Sequence, residues 1–103
     1  MSIGVTVDLA IDPAKLDEFL AFIMEIAPQT RSYDGCQHFD IWVDQDEAGR
    51  VLFYELWDSR EQYEKYVAWR AETGALDKLG PFVTAPPRFS YFVLHANIPA
   101  PAG

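Results

Sequence analysis

The order of the sequence elements predicts an α+β, ferredoxin-like fold, in which a split β-α-β arrangement forms an antiparallel four-stranded sheet with helices on one face. Two observations support this prediction. Four segments carry strand-type residues, most of them alternating between apolar and polar, and two longer segments carry apolar residues at helical spacing. Their order is strand, helix, strand, strand, helix, strand. The chain has 103 residues, of which 50% are hydrophobic, enough for the core of one domain.

The first strand and the first helix follow one another near the start of the chain. Alternation over residues 3–9 places one set of apolar side chains on the same face, namely Ile3, Val5, Val7 and Leu9. Asp12 and Pro13 then supply a helix cap and a first-turn proline. The following helix carries an apolar stripe of Leu16, Phe19, Leu20, Ile23 and Ala27. We expect this helix to end close to Pro28, because proline is disfavoured in helix interiors.

A hairpin is predicted in the middle of the chain, after a turn at residues 33–35. Strict alternation over residues 36–43 predicts a strand with Cys36, His38, Asp40 and Trp42 on one face, and Gln37, Phe39, Ile41 and Val43 on the other. The polar segment 44–49 is short enough to connect two antiparallel strands. The returning strand is expected over residues 51–57.

The second helix begins at a capping box, with Ser59 as the N-cap and Gln62 three residues later. Gly74 is expected to break this helix, and a short helical piece follows over residues 75–82. The last strand is predicted over residues 89–95. The domain therefore spans residues 1–95, and residues 96–103 form a loosely ordered tail with little apolar surface to bury.

The sheet face that carries no helix still holds apolar residues, which we expect to be Phe39, Ile41, Leu52 or Tyr54, depending on the register. A second sheet packed against this face would bury them. The sequence therefore predicts a homodimer. Aromatic residues make up 15% of the chain, which also favours an aromatic-lined cavity or interface.

Composition argues against several classes of partner. The net charge of −8 repels phosphate backbones and anionic lipid surfaces, so neither nucleic acid nor membrane is an expected partner. No apolar run approaches the roughly 20 residues of a membrane helix, and no signal peptide is evident. The single cysteine, Cys36, suits a reducing cytoplasm. With only His38 and His95 beside it as further ligands, we expect no metal site.

The strand that leads into the second helix contains an acid and an indole on the same face. Glu55 and Trp57 are two residues apart, and residues at that spacing point to one side of a strand. An acid beside a large ring on a buried face is either paired for structural reasons or part of a pocket. Both interpretations stay open at the level of sequence.

Three stretches of the chain resemble the antibiotic biosynthesis monooxygenase (ABM) family, whose members form dimeric α+β barrels. The resemblance lies in residues 34–40, in residues 53–59 with the helix that follows, and in residues 68–87, which are similar to bacterial quinol monooxygenase-like members. It covers about residues 3–95. The resemblance implies a fold more strongly than a reaction, because the family includes oxygenases, haem-degrading enzymes and isomerases.

The resemblance implies a cofactor-independent oxidation of a small phenol or quinol by dioxygen. In actinorhodin-type members an Asn, a Trp and a Tyr form the pocket, and these positions fall on Phe53, Trp57 and Tyr63 here. Other relatives carry a His on the second helix, where this chain has Tyr66. Haem degradation is set aside, because the haem-ligating His of those members aligns near Glu72.

We therefore name Tyr63, His38 and Tyr66 as candidate catalytic residues, with His38 or Tyr66 handling the proton. The candidate substrate-binding residues are Trp57, Glu55, Phe53 and Arg70. No cofactor is expected, and the expected ligand is a small aromatic or quinone-like compound. Two alternatives remain: a non-catalytic ligand-binding or stress-response dimer, and an isomerase of a small carbonyl compound that uses Glu55 with His38.

Overall fold

The computed structural model describes residues 2–102 and confirms the α+β, ferredoxin-like architecture. The sheet order is β2-β3-β1-β4, and all neighbouring strands are antiparallel. A single 3₁₀ turn, Pro13–Lys15, precedes the first α-helix. The strands and helices are β1 (Ile3–Ala10), α1 (Leu16–Ser32), β2 (Cys36–Val43), β3 (Arg50–Trp57), α2 (Arg60–Glu72), α3 (Ala75–Leu79) and β4 (Arg88–Phe92).

The core lies between the inner face of the sheet and the helices. Strand pairing places Val5 opposite Glu55 and Val7 opposite Phe53, so these side chains point to the same side. Phe19 on α1 packs against Phe53, with ring centroids 6.3 Å apart. The predicted inner face of β1 is confirmed, because Val5, Val7 and Leu9 are all buried.

Strand β2 departs from simple alternation at its first residues. A β-bulge lies between Cys36 and His38, so that Cys36 pairs with Trp57 on the inner face, whereas His38 pairs with Leu56 on the outer face. The prediction that Cys36 and His38 share a face is therefore wrong. One extra residue in a strand reverses the facing of all residues before it.

The register also decides which apolar residues lie on the helix-free face. Phe39 and Ile41 pair with Glu55 and Phe53, which places them on the inner face and not on the outer one. Of the four residues proposed for the outer face, only Leu52 and Tyr54 lie there. Sequence alternation could not assign these faces, because β2 carries large apolar residues on both sides.

Helix α1 extends further than the proline suggested. Asp12 caps the 3₁₀ turn by accepting a hydrogen bond from the Ala14 amide at 3.0 Å, and the α-helix proper begins at Leu16. Pro28 lies inside the helix, which continues to Ser32. The proline removes only the bond to the carbonyl of Met24, whose side chain is exposed on the solvent side of the helix. Water can satisfy that carbonyl there.

The predicted cap of α2 is confirmed, because the Gln62 amide donates to Ser59 Oγ at 3.2 Å. Gly74 adopts a left-handed conformation with φ of 80° between α2 and α3, as its predicted role as a helix breaker requires. Strand β4 ends at Phe92, so the predicted strand residues 93–95 have no regular structure. The ladder between β1 and β4 ends at the pair of Gly4 and Phe92.

Within residues 2–102, no helix is both long enough and apolar enough to cross a membrane. Residues 96–102 are exposed and without regular secondary structure. That the tail is loosely ordered stays a prediction.

Candidate functional site

A cavity of about 290 Å³ lies between the inner face of the sheet and the three helices. Its walls are mostly apolar, and a few polar side chains converge on it from β3, α1 and α2. Strands β1, β2, β3 and β4 and helices α1, α2 and α3 all contribute. The lining side chains include Val7, Leu9, Ile23, Ile26, Phe39, Phe53, Val67, Leu76, Leu79, Val83 and Phe89, with Glu55, Tyr63, Tyr66, Thr30 and Arg70 as the polar members.

Glu55 brings a buried carboxyl group to the cavity from the centre of β3. The residue is 3% exposed, and Trp57 Nε1 donates a hydrogen bond to Glu55 Oε1 at 3.0 Å. Loss of hydration raises the pKa of Glu55 to about 7, although the Trp57 hydrogen bond and the Arg70 charge act in the opposite direction. The second carboxyl oxygen has no hydrogen-bond partner among residues 2–102. Glu55 therefore exchanges a proton near neutral pH inside an apolar space.

Tyr63, in the first turns of α2, presents a phenol that is not committed to any other group in the described part of the chain. The side chain is 2% exposed and lines the cavity. Burial raises its pKa above the ordinary value, and the nearby charge of Glu55 adds to this effect. The phenol is consequently neutral at physiological pH. It can donate one hydrogen bond to a ligand oxygen.

Arg70 and Tyr66 form a buried hydrogen-bond network that joins α2 to α1. Arg70 Nε donates to Tyr66 Oη at 3.0 Å, and Nη2 donates to Thr30 Oγ1 at 2.8 Å. The two hydroxyl groups of Thr30 and Tyr66 are 2.6 Å apart. Arg70 also donates to Gln29 Oε1 at 2.8 Å and to the Ile26 carbonyl at 2.9 Å. The network holds the guanidinium and the phenol in fixed positions at the cavity wall.

The structure brings together most of the residues that the sequence singled out. Five of them line the same cavity: Phe53, Glu55, Tyr63, Tyr66 and Arg70. Trp57 lies behind the wall. It is fully buried and packs against Tyr63 and Tyr66, with ring centroids 5.5 Å and 5.1 Å away. Its polar contact with the site is the hydrogen bond to Glu55.

His38 lies apart from these residues. Its ring is on the outer face of the sheet, where Nε2 is 2.7 Å from Asp40 Oδ2, and half of the side chain is exposed. Glu55 points to the inner face. The pair of Glu55 and His38 that the isomerase alternative requires is therefore separated by the sheet in a single protomer.

Two polar residues at the site escaped the sequence analysis. Thr30 and Gln29 bind Arg70, but they lie about 40 positions earlier in the chain. A signal for Thr30 was present, because it continues the helical stripe of Phe19, Ile23 and Ile26 at a spacing of three or four residues. A hydroxyl on a buried stripe needs a partner. Nothing in the sequence indicated Gln29.

The charges at the site come from few residues. Glu55 and Arg70 are the charged side chains of the cavity lining, and within residues 2–102 no group of three or more His, Cys, Asp or Glu side chains is arranged to hold a metal ion. The arrangement can bind an aromatic ring, take up a proton at Glu55 and donate one hydrogen bond from Tyr63 to a ligand oxygen.

Comparison with known proteins assigns the family. The model of the family described as antibiotic biosynthesis monooxygenase matches residues 2–71, which is more than half of the chain. This chain belongs to the antibiotic biosynthesis monooxygenase (ABM) family. The matched range contains β1 to β3 and most of α2, and with them Glu55, Trp57, Tyr63, Tyr66 and Arg70.

Solved structures share the ABM fold. A Mycobacterium tuberculosis protein superimposes with a TM-score of 0.81 at 18% identity, over 94% of this chain and 98% of its own. A structure described as an antibiotic biosynthesis monooxygenase gives a TM-score of 0.81 at 21% identity, over 91% and 99%. A candidate antibiotic biosynthesis monooxygenase from Caulobacter crescentus gives 0.76 at 25% identity, over 94% and 91%. No protein with a curated function matches the chain significantly.

Proposed function

We propose that this ABM protein is a cofactor-independent monooxygenase that oxidises a small phenol or quinol with dioxygen. The observation that carries the proposal is the buried carboxyl of Glu55, whose pKa is about 7 and whose second oxygen has no hydrogen-bond partner within residues 2–102. A base of this strength within an apolar cavity can remove the proton of an aromatic hydroxyl group at neutral pH. The anion of an electron-rich polyphenol can pass an electron to dioxygen directly.

The proposed reaction needs only the substrate and dioxygen. Glu55 accepts the hydroxyl proton, and the phenolate gives one electron to dioxygen. The two radicals combine at a ring carbon to give a peroxide anion, which takes the proton back from Glu55 and becomes a hydroperoxide. The ring C–H bond then breaks, its electron pair forms the new carbonyl while the O–O bond breaks, and the hydroxide that leaves takes up the ring proton. One oxygen atom becomes a quinone carbonyl and the other becomes water, so that dioxygen accepts four electrons in total.

The cavity supports a substrate of one or two rings. Its volume of about 290 Å³ lies at the lower limit of the range of roughly 300–1,000 Å³ for small-molecule sites. Phe39 and Phe53 offer aromatic faces on β2 and β3, with ring centroids 5.3 Å apart. Tyr63 supplies the donor that holds a developing oxyanion. The mostly apolar walls lower the local dielectric constant, which strengthens these contacts.

Oxygen uptake by purified, metal-free protein with a panel of hydroquinones tests this function. We expect turnover, and a loss of 100-fold to 10,000-fold in kcat for Glu55→Gln, as is typical of removing a general base. Tyr63→Phe should lose activity as well. The matched controls Glu25→Gln, on the exposed side of α1, and Tyr54→Phe, on the outer sheet face, should keep it.

Two outcomes of this assay contradict the proposal. Equal rates for Glu55→Gln and the wild-type protein would remove Glu55 as the base. Saturable ligand binding without oxygen uptake or product would instead support the non-catalytic binding protein.

We also propose that the protein acts as a homodimer joined through the outer faces of its two sheets. In a single protomer, Trp42 is 61% exposed, Phe92 55% and Tyr54 37%. Leu52 and Leu56 lie on the same face. Contiguous exposed apolar surface of this kind is typical of an interface.

A charge at the centre of this face should break the dimer. We expect the wild-type protein to have the mass of a dimer in light scattering after gel filtration, and Tyr54→Asp to have that of a monomer. Glu47→Lys, which changes a charge in the loop before β3, is the control and should remain dimeric. A monomeric wild-type protein at micromolar concentration would contradict the proposal.

A cytoplasmic location is proposed as well, because the one cysteine, Cys36, is unpaired. Cell fractionation that finds the protein mainly outside the cytoplasm would contradict this.

A further inference from the structure

The aromatic rings of the core and the cavity wall form two separate groups that differ in redox chemistry. Phenylalanines pack together in one group, which consists of Phe19, Phe22, Phe39, Phe53 and Phe82. Tyrosines and tryptophans pack together in the other group, which consists of Tyr33, Trp57, Tyr63, Tyr66, Trp69 and Tyr91. No ring contact within residues 2–102 joins the two groups. Because tyrosine and tryptophan lose an electron far more readily than phenylalanine, the second group offers a path to an oxidising equivalent and the first does not.

Trp57 is linked to the cavity through the carboxyl group of Glu55. Trp57 Nε1 donates to Glu55 Oε1 at 3.0 Å, and Glu55 Oε2 lies at the cavity without a hydrogen-bond partner among residues 2–102. An indole that has lost an electron is a strong acid and releases its Nε1 proton. Glu55 can accept that proton on Oε1 while it releases its own proton from Oε2. Trp57 can therefore lose an electron and a proton together, and no buried positive charge remains on its ring.

Tyr33, directly after α1, joins Trp57 to the surface. Its ring centroid is 6.2 Å from that of Trp57, a separation over which electrons pass readily between rings. The Tyr33 side chain is partly exposed, and its hydroxyl group has no hydrogen-bond partner within residues 2–102. Water can therefore accept the phenolic proton when the ring is oxidised.

The neighbouring rings of the same group are harder to oxidise than Tyr33. The guanidinium carbon of Arg70 lies 5.3 Å from the ring centroid of Tyr66 and 4.8 Å from that of Trp69. Its positive charge opposes the positive charge that develops on a ring when an electron leaves. Tyr63 is only 2% exposed, and residues 2–102 offer no acceptor for its phenolic proton. An oxidising equivalent in this group therefore comes to rest on Tyr33.

We infer that Glu55, Trp57 and Tyr33 form a repair path, which carries oxidising equivalents from radicals in the cavity to soluble thiols or ascorbate at the protein surface. The inference rests on the proposed function for the source of the radicals. They form whenever the O–O bond of the hydroperoxide breaks homolytically, which leaves one unpaired electron on each oxygen atom. The repair path adds a second function to the site, because it protects the cavity walls from oxidation.

Electrons and protons balance along the repair path. An oxygen-centred radical in the cavity gains an electron from Trp57 and a proton from Glu55 Oε2, while Glu55 Oε1 gains the proton of Trp57 Nε1. Tyr33 then gives an electron to Trp57, which takes its proton back from Glu55, and the phenolic proton of Tyr33 passes to water. A thiol finally gives a hydrogen atom to the Tyr33 radical, so that its S–H bond breaks and the phenolic O–H bond forms again. Glu55 regains its proton from water, and the thiyl radical leaves.

Laser flash photolysis of the full chain without substrate tests the step from Trp57 to Tyr33. The chain has three tryptophans, so a double variant with Trp42→Phe and Trp69→Phe keeps Trp57 as the only one. An ultraviolet pulse removes an electron from Trp57, and a cobalt(III) ammine complex accepts this electron irreversibly. Tryptophan and tyrosine radicals absorb at different wavelengths. We expect the Trp57 radical to be replaced by a tyrosine radical in a first-order step whose rate does not depend on protein concentration.

Further substitutions in this double variant assign the step to Tyr33 and the proton to Glu55. Tyr33→Phe should slow the decay of the Trp57 radical at least tenfold. Tyr63→Phe removes a ring that is closer to Trp57, with centroids 5.5 Å apart, but is buried, and it should leave the decay rate unchanged. Glu55→Gln should leave Trp57 as the protonated radical cation, whose absorption band differs from that of the neutral radical.

Three outcomes overturn the inference: a decay of the Trp57 radical that is equally fast in Tyr33→Phe, a decay rate that rises with protein concentration, and a neutral Trp57 radical in Glu55→Gln. If the double variant does not fold, as judged by circular dichroism, Trp42→Phe alone is used. Both remaining tryptophans then belong to the group that contains Tyr33, and the same comparison with Tyr33→Phe decides.

Turnover tests the protective role of the path. With a hydroquinone substrate and glutathione as the thiol, Tyr33→Phe should complete at least twofold fewer turnovers before inactivation than the wild-type protein. Tyr54→Phe, on the outer sheet face, is the control and should match the wild-type protein. Equal numbers of turnovers for Tyr33→Phe and the wild-type protein would overturn the protective role.

The repair path and the proposed function fail separately, because flash photolysis needs no substrate. Oxygen uptake together with an unchanged radical decay in Tyr33→Phe would remove the repair path and leave the monooxygenase standing. Radical transfer to Tyr33 without oxygen uptake would confirm the path and remove the monooxygenase.

Discussion

Replacing Glu55 with glutamine is expected to stabilise the protein by about 3 kcal/mol above pH 7 and to change its stability little below pH 4.5. In the unfolded chain the carboxyl has its ordinary pKa of 4.5, and in the folded protein burial raises the pKa to about 7. Between these two values the folded state binds more protons than the unfolded state, so stability falls as the pH rises. Glutamine removes the ionisation and keeps an oxygen acceptor for Trp57 Nε1.

The measurement is the free energy of unfolding in urea from pH 4 to pH 9 for the wild-type protein and the variant. Only the difference between the two curves reports on Glu55, because the other acids of this chain, with its net charge of −8, affect both alike. Glu25→Gln should run parallel to the wild-type curve. A constant difference between Glu55→Gln and wild type over this range would show that the buried carboxyl is not perturbed.

Truncating Trp57 to alanine is expected to cost about 3–5 kcal/mol of unfolding free energy, the usual range for a buried Trp. The indole is fully buried and is surrounded by the rings of Tyr33, Tyr63 and Tyr66. A loss of this size is a large part of the roughly 5–15 kcal/mol that stabilises a typical domain. Thermal and urea unfolding measure it.

Trp57→Phe separates the ring from its N–H group. It keeps most of the packing but leaves Glu55 Oε1 without its donor, so we expect an intermediate cost, growing above pH 7 where Glu55 is ionised. Met24→Ala, at a side chain that is 64% exposed on α1, should change the stability by no more than about 0.5 kcal/mol. A cost for Trp57→Ala as small as that of Met24→Ala would contradict the packing.

Local patterns were sufficient to predict the order of the elements and the fold. The alternation in β1, the Ser59 cap and the Gly74 break depend only on neighbouring residues, and all three appear as predicted. The errors arise where the neighbouring residues along the chain do not determine the local structure. The bulge at Cys36, the faces of Phe39 and Ile41 and the end of β4 are set by strand register, which depends on residues far away in the sequence.

Local patterns also predicted part of the candidate site, and they missed the contacts between distant residues. Glu55, Tyr63 and Arg70 stood out as polar residues on elements with a buried side, and they line the cavity. The partners of Arg70 could not be found, because α1 and α2 meet only in the folded protein. His38 was chosen because histidine is a common proton carrier and because alternation placed it on one face with Cys36 and Asp40, but the bulge in β2 separates it from Cys36 and leaves it on the outer face.

The cavity is built from the same side chains as the hydrophobic core. Val7, Leu9, Ile23 and Phe53 are core residues, and they are also cavity walls. A substitution that reshapes the space for another ligand is therefore also a core substitution, with a typical stability cost of about 1–3 kcal/mol. Adaptation to new ligands in this chain is limited by its reserve of stability. Stabilising changes elsewhere would have to accumulate before the walls could change.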